Sequence, residues 1–105
     1  RSSTSFGTVS GMELNLPAGT YILQFNAEAW SQNSSMTAQF TFYANGSNLS
    51  NARRTIEPDN NEPKSATVTH VVTLNSNQTV RVRFRKVSGP NSIFVGNRTF
   101  TAIKM

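Results

Sequence analysis

Apolar and polar residues alternate with a period of two in segment after segment of this chain, and that pattern belongs to half-buried β-strands. In Thr20 to Trp30, the side chains of Tyr21, Leu23, Phe25, Ala27 and Ala29 fall on one face. Ile22, Gln24, Asn26, Glu28 and Trp30 fall on the other. Met36, Ala38, Phe40 and Phe42 alternate with Thr37, Gln39, Thr41 and Tyr43, and Val68, His70, Val72 and Leu74 alternate with threonines and Val71. Val80, Val82 and Phe84 are interleaved with Arg81, Arg83 and Arg85. Arg98 to Met105 alternates less cleanly, and Ser5 to Ser10 and Met12 to Leu16 read as two short strands near the beginning. No helical periodicity of useful length occurs.

Turn residues punctuate these runs: Leu16-Pro17-Ala18-Gly19, Asn45-Gly46-Ser47, Asn75-Ser76-Asn77 and Ser88-Gly89-Pro90-Asn91. Many short antiparallel strands so interrupted predict an all-β, two-sheet antiparallel fold, a β-sandwich or jelly roll. With 105 residues the chain is one domain, spanning 1–105. Charged residues make up only 14% and Cys is absent. Neither a disulfide framework nor a thiolate metal site is available to it. No apolar run is long enough for a membrane-spanning helix, so no membrane insertion is expected. The opening Arg-Ser-Ser-Thr-Ser has neither an initiator Met nor a signal-peptide core. The chain reads as the C-terminal fragment of a longer polypeptide that ends at Met105. A net charge of +5 favours anionic partners, or serves solubility alone.

Leu-Pro-Ala-Gly-Thr-Tyr at 16–21 opens a long strand. An Ala-Thr-Val-Thr-His-Val-Val-Thr-Leu strand, a short Asn-Ser-Asn loop and Thr-Val-Arg-Val-Arg-Phe come later, and the chain closes on Thr-Phe-Thr-Ala-Ile-Lys-Met. This order resembles the trimeric jelly-roll heads of the complement-subcomponent-q and tumour-necrosis-factor superfamily. It is most similar to the tips of phage tail fibres and tail needles and to the heads of bacterial collagen-like surface proteins. The resemblance implies a homotrimer with one sheet of each subunit around a threefold axis. It also implies an extracellular location, on a virion appendage or a bacterial surface. The loops Trp30 to Ser35, Glu57 to Lys64 and Val87 to Ser92 are then expected at the end opposite Met105, with Asn45 to Asn51 and Asn75 to Asn77 at the other.

Catalytic apparatus is hard to assemble from one His, no Cys and five carboxylates. A nucleophile–base–carboxylate set, a phosphate-binding loop, a glycosidase carboxylate pair and zinc spacing are all missing. His70 sits mid-strand between Val68 and Val72, where a packed histidine fits better than a base. The chain is therefore expected not to be an enzyme.

Three constellations remain. Arg81, Arg83 and Arg85 project from one strand face about 6 to 7 Å apart, with Lys86 and Arg53-Arg54 to extend the basic surface. Guanidinium forks at that spacing suit successive phosphate or carboxylate groups. The plain alternative is a solvated face that deters edge pairing. Nucleic acid is not an expected partner, because no stacking aromatics interleave with these residues in sequence. Glu57, Asp59 and Glu62 crowd one loop and offer oxygens for Ca2+, though Pro58, Pro63 and the spacing favour a solvated turn and no cofactor. Trp30, beside Gln32 and Asn33, could stack on a sugar ring, or pack at the core edge or a subunit interface. The Asn-x-Ser/Thr sequons at Asn33, Asn45, Asn48, Asn77 and Asn97 are little more than this composition supplies, so no glycosylation is inferred.

These features predict a non-catalytic receptor-binding tip of a trimeric fibre, attaching to a bacterial surface glycan or receptor protein. The alternatives are a purely structural trimerisation head, or a monomeric carbohydrate-binding module of a secreted glycoside hydrolase.

Overall fold

The computed structural model describes residues 6–31, 37–49, 52–57, 63–88 and 93–105. Eight strands run through them: β1 (Gly7–Leu16), β2 (Gly19–Ser31), β3 (Thr37–Ala44), β4 (Ser47–Asn48), β5 (Arg54–Ile56), β6 (Lys64–Leu74), β7 (Gln78–Ser88) and β8 (Ile93–Lys104). They make a β-sandwich of two antiparallel sheets, as the alternation predicts. In the first, β1, β7 and β3 lie side by side, and the short β4 and β5 both pair with the far side of β3. The second has the order β6-β2-β8. Outside the β3–β4–β5 run, every connection changes sheet. Strands adjacent in sequence therefore face each other across the core and pair with strands distant in sequence.

The alternating apolar set is the core. Leu23, Phe25, Ala29, Ala38, Phe40, Phe42, Ala66, Val80 and Val82 are wholly buried, and Tyr21, Val68, Val72, Leu74 and Phe84 nearly so. Phe25 of the second sheet meets Phe40 of the first at 5.7 Å between ring centres, Phe40 meets Phe84 at 5.6 Å, and Phe42 meets Phe100 at 5.6 Å. Phe25–Phe40 and Phe42–Phe100 join the sheets while Phe40–Phe84 links neighbouring strands of one, and burying each such side chain is worth roughly 1.5–3 kcal/mol.

Two bulges explain where simple alternation fails. Ser5 to Ser10 and Met12 to Leu16 are not two strands. β1 is continuous from Gly7, with its register against β7 shifting between Thr8 and Glu13. Five steps along β1, from Thr8 to Glu13, face only two along β7, from Arg83 to Arg81, and Gly11 at φ 78 lies within this bulge, so Val9 points inward before it and Met12, Leu14 and Leu16 after it. β8 begins at Ile93, earlier than the pattern around Arg98 predicts. Its register against β2 shifts between Asn26 and Glu28, where Asn97 takes φ 46. Ile93 and Val95 face the core before this bulge, and Phe100 and Ala102 after it. From that bulge Arg98 donates Nε to the Ser10 carbonyl at 2.9 Å and Nη1 to the Val95 carbonyl at 2.9 Å, tying β8 to the bulged stretch of β1.

The Pro-Ala-Gly-Thr-Tyr segment is a corner. Tyr21 donates its hydroxyl to the Pro17 carbonyl at 2.8 Å, and the Ala18 amide donates to Asn77 Oδ1 at 2.9 Å. Gly19 takes φ 152 with the Lys104 stem and Tyr21 ring close by, where a side chain would be strained. At the same end, Asn45-Gly46 closes the β3–β4 hairpin with φ 52 and φ 80, the values of a type I′ turn. Asn45 Nδ2 donates to the Thr73 carbonyl at 2.8 Å, and Gln78 Nε2 donates to Asn45 Oδ1 at 3.0 Å, so the hairpin turn is fastened to the β6–β7 connection. Met105 donates its amide to the Thr20 carbonyl at 2.9 Å, which puts the C-terminal residue there too. The opposite end gathers Ser31 beside Ile93, Thr37 beside Ser88, and Lys64 beside Ala29.

Candidate functional site

The two outer faces of the sandwich are chemically different. On the β6-β2-β8 sheet, cross-strand neighbours form rows whose outward side chains are covered by nothing else described. Thr73 pairs with Thr20, then Val71 with Ile22 and Ile103, Thr69 with Gln24 and Thr101, Thr67 with Asn26 and Thr99, Ser65 with Glu28 and Gly96, and finally Trp30 with Phe94. The face is thus mostly hydroxyls and amides, with aliphatic residues toward the Met105 end and an aromatic pair at the other.

Trp30 and Phe94 are 37% and 38% exposed, high values for large apolar side chains, and their rings stack at 6.1 Å. Their exposure follows from parity. Both occupy outward positions at strand ends, so neither reaches the core. Gly96 lets the indole lie across β8, because a Cβ there would stand 2.9 Å from Trp30 Cζ3 and 3.0 Å from Cη2. Beside the indole, Asn97 Nδ2 donates to Glu28 Oε2 at 3.0 Å. The left-handed backbone of Asn97 at the β8 bulge points its amide along the face toward that carboxylate. Glu28, Trp30, Pro63, Gly96 and Asn97 line one open groove. An aromatic plane next to a fixed carboxylate and amide can hold a ring that has an apolar face and hydroxyl edges.

The face of the other sheet is basic. Arg81, Arg83 and Arg85 stand in a row on β7, as the sequence predicts, but each is engaged. Arg81 Nε lies 3.3 Å from Glu13 Oε2 across the β1 pairing. Arg83 lies over the Tyr43 ring, its Cζ 3.9 Å from the ring centre. Arg85 donates Nε and Nη2 to Gln39 Oε1 at 3.0 and 2.7 Å. Phe6 has Arg85 over it at 4.6 Å and Arg53 at 5.2 Å. The plain alternative holds in part: the row's interleaved Val80, Val82 and Phe84 are in the core, but it guards no edge, since β7 is flanked on both sides by β1 and β3. Aromatics also do interleave with the basic residues. Tyr43 comes from β3 and Phe6 from just before β1, so their company is invisible in the local sequence.

The remaining candidates separate from these faces. His70 is half-buried on the core side opposite Leu23, as its parity predicts. Gln32, Asn33, Asp59 and Glu62 lie outside the described residues, and Glu57 is exposed. Among the described residues no cluster of three His, Cys, Asp or Glu side chains forms a metal site. Sequence reasoning missed Phe94, Gly96, Asn97 and Glu28 as companions of Trp30. The Gly96-Asn97 pair inside an apolar run was the available signal, since such a pair marks a bulge or a close approach.

No protein-family model matches the chain, and no curated protein is significantly similar to it.

Proposed function

We propose that this chain is a non-catalytic attachment domain that recognises a cell-surface glycan through the Trp30–Phe94 face. In this reading it is the jelly-roll tip of a trimeric extracellular fibre, such as a phage tail appendage. The observation that carries the proposal is the exposed Trp30 indole, stacked on Phe94, lying over Gly96 and flanked by the Glu28–Asn97 pair. A merely structural tryptophan would gain about 25 cal/mol for each Å² of apolar surface removed from water, and this one leaves more than a third of its own in solvent. The platform sits at the end opposite Met105, where a fibre tip would meet its target. Sheet-crossing connections support the jelly-roll reading. The exposed row of Val71 and Ile103 around Ile22, with Met105 beyond, supports burial against neighbouring subunits. Three such sites on one tip would act together, so that weak single contacts become avid attachment.

A monomeric carbohydrate-binding module is the second reading. It is favoured by the uninterrupted rows Thr69–Gln24–Thr101 and Thr67–Asn26–Thr99, which continue the Trp30 groove along the sheet as a track of hydroxyls and amides. Sedimentation at micromolar concentration separates the two: a trimer supports the fibre tip and a monomer the module. Glycan-array binding that disappears in Trp30→Ala, with the sedimentation profile unchanged, supports glycan recognition in either assembly. Full binding by Trp30→Ala would remove the site.

A further inference from the structure

From the outer face of the β1-β7-β3 sheet we infer a second binding surface, independent of the Trp30 groove, for a polyanionic polysaccharide bearing sulfate, phosphate or carboxylate groups. Arg53, Arg81, Arg83 and Arg85 gather on this face, where Glu13 serves Arg81. Gathering like charges on one sheet face costs stability and invites a counter-ion. Neither general solubility nor edge protection calls for this arrangement. β7 is an internal strand, and its three arginines are half-buried where exposed lysines would solubilise as well.

The rings preorganise the guanidiniums. Arg83 is held over Tyr43, and Arg85 and Arg53 over Phe6, so each loses less side-chain freedom when it grips an anion. Their donors are incompletely used. Gln39 takes Nε and Nη2 of Arg85, and no described residue accepts from its Nη1. Arg83 Nε is buried without a hydrogen-bond partner, and no described residue accepts from either Arg83 Nη. At two-residue strand spacing the row repeats about every 6 to 7 Å, which suits charges that recur along a polymer. A single-stranded nucleic acid fits less well. It needs open aromatic faces for its bases, and here guanidiniums lie over both rings.

The test uses dextran sulfate as probe, with uncharged dextran and an oligothymidylate in parallel, titrated at several salt concentrations. Dextran sulfate is expected to bind, with affinity falling steeply as salt rises, while dextran does not bind and oligothymidylate binds at least about tenfold more weakly. Arg53→Gln/Arg83→Gln should lose at least about tenfold in affinity and flatten the salt slope, because two phosphate- or sulfate-gripping charges are gone. Trp30→Ala should leave this binding unchanged, which separates the surface from the glycan groove. Thermal melting confirms that the double variant is folded. Arg53→Gln alone, at an exposed position, should still weaken binding severalfold and covers the case in which the double variant unfolds. Absence of dextran sulfate binding at low salt, or full binding by the folded variants, overturns the inference. Equal or tighter binding of oligothymidylate overturns the polysaccharide assignment in favour of nucleic acid.

Discussion

The two outward faces of this sandwich are built by the same alternation and differ in what each strand places there. On the β6-β2-β8 face, side chains are short and mostly neutral, and the aromatic pair Trp30–Phe94 lies open. On the β1-β7-β3 face, the aromatics Phe6 and Tyr43 lie beneath arginines. An aromatic ring thus presents two chemistries in one domain: bare, it offers an apolar plane, and covered, it becomes the bed for a fixed cation. The binding character of a β-sheet surface is therefore set by which strands become neighbours more than by the content of any one strand.

Both faces rest on one core, so the largest effect should come from beneath them. Phe40→Ala removes the ring that links Phe25 to Phe84, and should cost about 3–5 kcal/mol in chemical denaturation. Both binding activities should fall together as the fold is lost. A loss below roughly 1 kcal/mol would mean that the faces do not depend on this shared layer.

Substitutions at the surface should instead split the faces. Trp30→Ala is expected to weaken binding of a neutral glycan by about 2 kcal/mol, close to thirtyfold, in a calorimetric titration. Gly96→Val should mimic it, because its side chain would occupy the space under the indole. If Gly96→Val binds normally, the indole does not need to lie across β8, and the groove geometry is wrong. Tyr43→Leu keeps bulk and removes the ring below Arg83. It should weaken dextran sulfate binding by about 0.5–1 kcal/mol and leave neutral-glycan binding intact. The smallest stability effect should come from Glu13→Gln. The Glu13–Arg81 pair is partly exposed, so unfolding should shift by no more than about 1 kcal/mol. Polyanion affinity should nevertheless rise, because Arg81 loses its internal carboxylate. A fall would place Glu13 among the groups that hold the anion.

Much of the fold was legible in advance because burial of alternate residues is a local signal. β2, β3, β6 and β7 are recognisable from the inward series Tyr21–Ala29, Ala38–Phe42, Val68–Leu74 and Val80–Phe84. The breaks in legibility coincide with the bulges at Gly11 and Asn97. An odd number of extra residues, three in β1 and one in β8, flips the inward parity there, and two periodic halves look like two strands or like none. β4 and β5 are too short for any period to register, and pairing with β3 alone defines them. Trp30 stood out as an outward aromatic at a strand end. Its partners Phe94 and Gly96 lie on a strand more than sixty residues away.

The sequence by itself determined that this is a β protein, which residues turn toward the core, and that three arginines share one strand face. Tertiary structure alone decided which strands lie beside which. It made β7 an internal strand, gave Arg83 a tyrosine bed and Arg81 a carboxylate, and brought Gly96 under Trp30. The physical reason is range. Side-chain direction along a strand follows from backbone geometry over two residues, whereas lateral pairing is settled by the fit of a whole core across distant parts of the chain.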